Sequence, residues 1–430
     1  MKKIALVFAV LLAAGAMVRA QDRDRQEEAR ALIAENPDRA GANMHSYEFS
    51  PVKDTPAPRG YKPFYISHYG RHGSRYEQNS TFSVQALAGF RVADSLNLLN
   101  ERGKALRAAV QAITDEHKGM EGALSPRGGR EHQQLAARMV ARFPKVFRSK
   151  DRKEVSAVAS TVQRCIVSMA NFTGMLNQKA PGMDFSYTSG ERFMELMHPP
   201  IAFPRGPVPG FGPRGEEQPA PSFDFSRFYG QIFNAPSKAM EAIPDAEGFV
   251  RSVFNTAILC QDLDFMDLDI LRSYFTIDEL MFLWPRMNNI IYLLWGNSLE
   301  NGEAVQAVVK PLLRDIVTKA DEALRPGSHR AADLRFGHDV GVLPLFALLG
   351  RDDAEGKRYP FNEAHKYWFS FERVPMASTF QMILYRNSKG DVLAKILNNE
   401  QEEHFPDLTP VSGPYYRWTD LREWLLERCR

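Results

Sequence analysis

The sequence predicts an α/β protein interrupted by a mainly helical insertion. Apolar runs of strand length stand toward both ends of the chain, each followed by a segment of helical period. Residues 224–325 between them read as almost wholly helical. With 430 residues, 44% hydrophobic and 25% charged, the chain can bury a large core and has the balance of an ordinary globular protein.

Residues 1–20 read as a secretory signal peptide. Lys2 and Lys3 precede an apolar run from Ile4 to Val18, and Val18-Arg19-Ala20 supplies the small residues of a cleavage site. The run is short for a membrane span, and nothing later is apolar enough to insert into a bilayer. The expected location is therefore the periplasm or outside the cell, by a bacterial export signal. Cleavage removes Lys2, Lys3 and Arg19, which lowers the basic count from 54 to 51 against 52 acids. A balance so near zero gives no footprint for nucleic acid, so an anionic substrate has to be held by local charge.

Residues 21–60 are polar and then proline-rich, and are expected to wrap the surface. Tyr61 to Tyr69 is apolar and aromatic and predicts a strand, which Gly70 to Arg75 breaks sharply. Residues 81–117 have helical period, and Ser125-Pro126 predicts a second helix start, serine as cap and proline in the first turn. Val155 to Ser160 predicts a short buried strand, followed by a helix from Thr161 to Leu176. After the helical block, Leu334 to Gly337 leads into His338-Asp339 and another helix. Thr379 to Tyr385 and Val392 to Leu397, separated by Asn387-Ser388-Lys389-Gly390-Asp391, predict a hairpin. The expected division is an α/β core over 21–176 and 331–430 with a mainly helical cap inserted over 177–330.

Chemistry concentrates at three places. Arg71-His72-Gly73-Ser74-Arg75 stands at a strand end, where open α/β sheets bind ligands. Its glycines permit close backbone approach, its arginines are forked phosphate donors, and a neutral imidazole among them can attack phosphorus. Arg164 opens a helix just after a buried strand, where an arginine by itself is more often an ion-pair partner. His338-Asp339 opens another helix, where aspartate by itself is more often a cap.

Taken together these pieces resemble the histidine acid phosphatase family, the branch of histidine phosphatases that includes phytases and multiple inositol polyphosphate phosphatases. R-H-G-x-R is matched by Arg71-His72-Gly73-Ser74-Arg75, the middle arginine by Arg164, and the closing H-D by His338-Asp339. Leu124-Ser125-Pro126-Arg127-Gly128 is a softer match to the family's L-T-x-x-G. The likeness covers roughly residues 61–176 and 331–400. Tyr76 after the first motif, and the run from Phe336 to Leu345, are similar to the inositol polyphosphate phosphatases. Those enzymes carry H-A-E, whereas here Asp339 follows the histidine directly and Val340 stands at the Glu position.

The resemblance implies a mostly parallel sheet sandwiched by helices, and hydrolysis of small phosphate monoesters through a phosphohistidine. It makes His72 the nucleophile and Asp339 the proton donor, with Arg71, Arg75, Arg164 and His338 holding the phosphoryl oxygens. No cofactor or metal is implied. Phytate-like substrates lead, a broad or sugar-phosphate phosphatase is the alternative, and a non-catalytic phosphate binder would have no need of Asp339.

Other signals are weaker. His68 and His72 have H-x-x-x-H spacing, but Gly70 and strand-like flanks argue against a helical zinc site. The pattern from Gly210 to Gly215 fits G-x-G-x-x-G without a preceding strand. Arg148, Lys150, Arg152 and Lys153 are either solvated surface or a rim for a polyanion. Cys165, Cys260 and Cys429 fit three buried thiols as well as one disulfide.

Overall fold

A computed structural model describes residues 25–209, 211, 222–351 and 356–430. The expected signal peptide, and all of the Gly210 to Gly215 pattern except Phe211, lie outside those residues.

The central element is a mixed, mostly parallel sheet in the order β3-β2-β4-β1-β5-β6-β7, with β8 paired to β6. Its strands are β1 (Lys62–Arg71), β2 (Glu154–Ala159), β3 (Asp184–Ser189), β4 (Arg330–Gly337), β5 (Thr379–Arg386), β6 (Val392–Asn398), β7 (Gln401–Glu402) and β8 (Tyr416–Arg417). β1 to β4 run parallel, whereas β5 pairs antiparallel with β1 and forms the expected hairpin with β6. β1 is a central strand buried on both faces, which is why it reads as a continuous apolar run. Its side chains still alternate: Ile66 enters one core, Tyr65 and Tyr69 the other.

Helices are numbered in chain order. The first five are α1 (25–35), α2 (Thr81–Ser95), α3 (Glu101–His117), α4 (Pro126–Arg142) and α5 (Pro144–Phe147). Next come α6 (Gln163–Lys179), α7 (Met194–Met197), α8 (Ser226–Ile232), α9 (Pro236–Ala242) and α10 (Ala246–Ala257). The last six are α11 (Ile270–Tyr274), α12 (Ile277–Trp295), α13 (Gly302–Leu324), α14 (Asp339–Leu348), α15 (Ser370–Arg373) and α16 (Trp418–Arg428).

One face of the sheet is covered by α4, α5 and α6 through Leu135, Met139, Phe147, Phe172 and Leu176. The other is covered by α13, α14 and α16 through Leu312, Ile316, Phe346, Leu421 and Leu425. Each such side chain contributes about 1.5–3 kcal/mol by leaving water. A separate core unites α1, α2 and α3 with α8 to α12, built on Phe90, Leu106, Phe228, Phe249 and Trp284. Helices α2 and α3 thus pack in the helical lobe, while β3 and α13, within residues 177–330, belong to the sheet and its cover. Residues 25–35 form a helix rather than an extended wrap. Cys165, Cys260 and Cys429 are all buried free thiols.

Register places the functional edge. Arg71 pairs with Gly337, and Ala159 with Phe336, so β1, β2 and β4 end level. The residues just beyond those ends are His72, Ser160 and His338.

Candidate active site

The loop after β1 is clamped by backbone. His72 N–H donates to the Gly337 carbonyl, and the His72 carbonyl accepts from Ala377 N–H, both at 2.9 Å. The first turn of α4 presses on the loop, so a Cβ on Gly73 would lie 2.6 Å from the Gly128 Cα. Ser125 caps α4 by accepting from Gly128 N–H at 3.3 Å, and its own N–H and hydroxyl donate to the Ser74 carbonyl at 2.9 and 3.1 Å. Ser125 and Gly128 of the softer motif are therefore the residues that seat helix on loop. From below, Glu131 accepts from the Ser74 N–H and hydroxyl, each at 2.8 Å, and from Tyr47 N–H at 3.1 Å.

His72 is buried, and its Nδ1 lies 2.9 Å from the Gly73 carbonyl. A carbonyl only accepts, so Nδ1 carries the hydrogen and Nε2 carries the lone pair. Burial, followed by Arg164, Arg71, His338 and Arg75, drives its pKa well below the ordinary histidine value. The ring is neutral and free to act as a nucleophile.

The arginines are unequally engaged. Arg71 donates to the carbonyls of Asn43 and Val374, the latter at 2.8 Å, and reaches Asp339 Oδ2 at 2.9 Å. Arg75 donates to the Tyr76 carbonyl at 2.9 Å and to the Met44 sulfur at 3.4 Å. Among the described residues Arg164 has the Gly122 carbonyl and His338 Nδ1, both at 3.4 Å, and the buried Nε atoms of all three arginines are without hydrogen-bond partners. Burial and the neighbouring Arg164 and Arg71 push the Arg75 pKa down to about 10. Three guanidiniums stand in one cluster, Arg71 alone of them in ion-pair contact with Asp339 among the described residues, an arrangement able to hold an oxyanion.

His338 lies edge-on to His72 with ring centroids 5.5 Å apart. Its Nε2 is 3.0 Å from the Ser160 hydroxyl, and burial, then His198 and Arg164, push its pKa down to about 2. A guanidinium only donates, so Nδ1 accepts from Arg164 here and Nε2–H faces Ser160. The Ser160 hydroxyl can also donate, which would turn the ring to the Nδ1–H form that an oxyanion needs.

Asp339 opens α14 with its carboxylate shared out. Oδ2 takes Arg71 and the Asn43 amide, both at 2.9 Å, while Oδ1 takes Val340 N–H at 3.1 Å. Burial alone would raise this carboxyl, but Arg71, then His338, Arg75 and Asn43, hold it below the usual value. One lone pair of Oδ1 remains for a proton.

The six residues expected from sequence, Arg71, His72, Arg75, Arg164, His338 and Asp339, therefore meet in one cluster. Sequence reasoning missed Asn43, Ser160, Glu131 and His198, whose ring lies 4.2 Å from that of His338. The basic cluster is corrected. Arg148 to Lys153 precede β2, whereas the site lies beyond its carboxyl end, so they cannot form its rim. His68 is core: it stacks at 5.1 Å on Phe172, and burial, then His132, lowers its pKa to about 3. Among the described residues no group of three histidine, cysteine or acidic side chains is placed to hold a metal ion.

This is the histidine acid phosphatase fold. The phosphate complex of Bifidobacterium longum multiple inositol polyphosphate phosphatase matches 90% of this chain and 97% of that one, with TM-score 0.74 and 18% identity. Its inositol hexasulfate complex gives 0.72 and 19% over the same shares. The phytase from D. castellii gives 0.63 and 13%, covering 91% of this chain and 85% of that one. No protein-family model matches the sequence, and no curated protein does.

Proposed function

We propose that this protein hydrolyses phosphate monoesters through a phosphohistidine formed on His72. The observation that carries the reading is the setting of His72: Nδ1 lies 2.9 Å from the Gly73 carbonyl, which leaves the Nε2 lone pair for attack beside Arg71, Arg75 and Arg164. Nε2 attacks phosphorus, the P–N bond forms and the P–O bond to the leaving group breaks. Asp339, protonated on Oδ1, gives that proton to the departing oxygen. Water then attacks phosphorus, Asp339 takes a proton from it, and the P–N bond breaks to release phosphate. Arg71, Arg75, Arg164 and His338 hold the phosphoryl oxygens. A bound phosphate dianion offsets the arginines and raises the Asp339 pKa from its depressed value, which supplies the proton donor when substrate is present.

Inositol polyphosphates such as phytate are the proposed substrates. Support comes from the likeness to the Bifidobacterium longum enzyme, which has been crystallised with phosphate and with inositol hexasulfate. The second reading, a broad or sugar-phosphate phosphatase, is favoured by the absence of Arg148 to Lys153 from the rim. Export to the periplasm or medium is proposed from residues 1–20. Among the described residues no helix is long and apolar enough to cross a membrane. Steady-state rates on phytate, glucose 1-phosphate and p-nitrophenyl phosphate test the reading. Cleavage of phytate at least as fast as the sugar phosphate is expected. Cleavage of the small esters but not phytate overturns the inositol assignment and leaves the second reading.

A further inference from the structure

The opposite end of the sheet holds a second collection of guanidiniums. Arg152 enters from the loop before β2, Arg325 from the end of α13 and Arg386 from the end of β5. All three line one open cavity of about 460 Å³, together with Gly327 and Gly390. Arg152 and Arg386 both lie against the Phe64 ring, 4.9 and 4.4 Å from its centroid, so one aromatic contacts two like charges. Arg152 also donates to the Arg330 carbonyl at 2.8 Å, which leaves most of its fork free. Among the described residues none of the three forms an ion pair; the nearby Arg330 is the one that faces Glu154 and Asp333. The acid on the β5–β6 hairpin, Asp391, is engaged by the Asn387 amide at 2.8 Å.

Like charges so gathered repel, and burial together with Arg386 lowers the Arg152 pKa. An anion in the cavity would relieve that repulsion and take the free donors, and planar forks suit the tetrahedral oxyanions of phosphate groups. From this convergence of Arg152, Arg325 and Arg386 on one cavity, we infer that the protein has a second, non-catalytic site for a soluble phosphorylated small molecule. β1 separates the two sites: from Phe64 to His72 is eight residues of strand, about 26 Å. This site is independent of the phosphatase reading.

The test is calorimetric titration of the full chain with inositol hexasulfate, which mimics clustered phosphates and lacks a phosphoryl group to transfer. The parent is expected to show two binding events, one at the catalytic cradle and a second that weakens as salt rises from low to physiological. The second event should be about tenfold weaker for each guanidinium removed, in Arg152→Ala/Arg386→Ala and in Arg325→Glu. Arg325→Glu sits at an exposed helix end and leaves the Phe64 stack intact, so it guards against simple unfolding. Phosphate-ester turnover should stay at the parental rate in both variants. If the phosphatase reading fails instead, the event lost in these variants is still seen in the parent. Variants that bind as the parent does overturn the inference. So does a result in which the free anion gives no second event while vesicles containing anionic lipid capture the parent but not the variants.

Discussion

Replacing Asn43 with alanine should shift the pH dependence of catalysis upward. The Asn43 amide donates to Asp339 Oδ2 at 2.9 Å and so favours the ionised carboxylate, beside the larger contribution of Arg71. A hydrogen bond to a buried charge is worth about 1.5–3 kcal/mol. Its loss should therefore raise the Asp339 pKa toward the ordinary carboxylate value. The proton needed by the leaving group is then retained to higher pH. For glycerol phosphate the basic limb of log kcat, which reports the substrate complex, should move up in the same direction. p-Nitrophenyl phosphate, whose leaving group needs little help, should show much less. The backbone carbonyl of Asn43 still faces Arg71 in the variant, so the arginine keeps its place. Stability follows the same sign. A carboxyl depressed in the folded state contributes stability above its unfolded pKa and loses it as pH falls through the folded value. The variant should therefore be less stable at neutral pH, by about 1.5–3 kcal/mol, with the gap closing in acid. A folded variant whose basic limb does not move would refute the assignment of Asn43 and the acid role that depends on it.

Three further outcomes follow from the same geometry. Asp339→Asn should lower kcat on alkyl phosphates by about 10²–10⁴-fold and on p-nitrophenyl phosphate by clearly less, and equal losses would contradict proton donation. Gly128→Ala drives a methyl group into the Ser74 backbone, so urea unfolding should show a loss of about 1–3 kcal/mol, with activity falling as the loop shifts; parental stability would contradict the close packing. Asp262, whose pKa burial and then Glu131 raise to about 7, is an acid that binds its proton more tightly when folded. Stability should therefore fall as pH rises from about 4 toward 7, and Asp262→Asn should flatten that slope; an unchanged slope would show that another group titrates.

Local features of the sequence were enough to find the main pieces of the site. The continuous apolar run before Gly70 marks a central strand, and the glycines and arginines after it mark a turn that gathers guanidiniums about His72. Ser125-Pro126 marks a helix start by cap chemistry alone, and Ser125 does accept from Gly128 N–H. The supports were hidden because they are made by the fold. Asn43 reaches Asp339 across 296 residues, Ser160 reaches His338 across 178, and Glu131 reaches Ser74 across 57. Nothing in the local pattern of asparagine, serine or glutamate singles them out. Of the two readings of the basic cluster, chain direction excludes the rim. Residues 148–153 enter β2, and a parallel sheet that reacts at its carboxyl ends puts such residues on the far side. The packing of α2 and α3 with the later helical lobe likewise depends on Phe90 meeting Phe249, a contact no period reveals.

The central claim is that phosphorus is transferred to His72 Nε2. Rapid mixing of the protein with labelled phosphate ester, quenched in alkali to preserve a phosphoramidate, should place the label on the peptide containing His72, and the label should be lost in acid. His72→Ala should fold, capture no label and turn over no substrate. Label on another residue, or near-parental turnover by His72→Ala, would contradict the account.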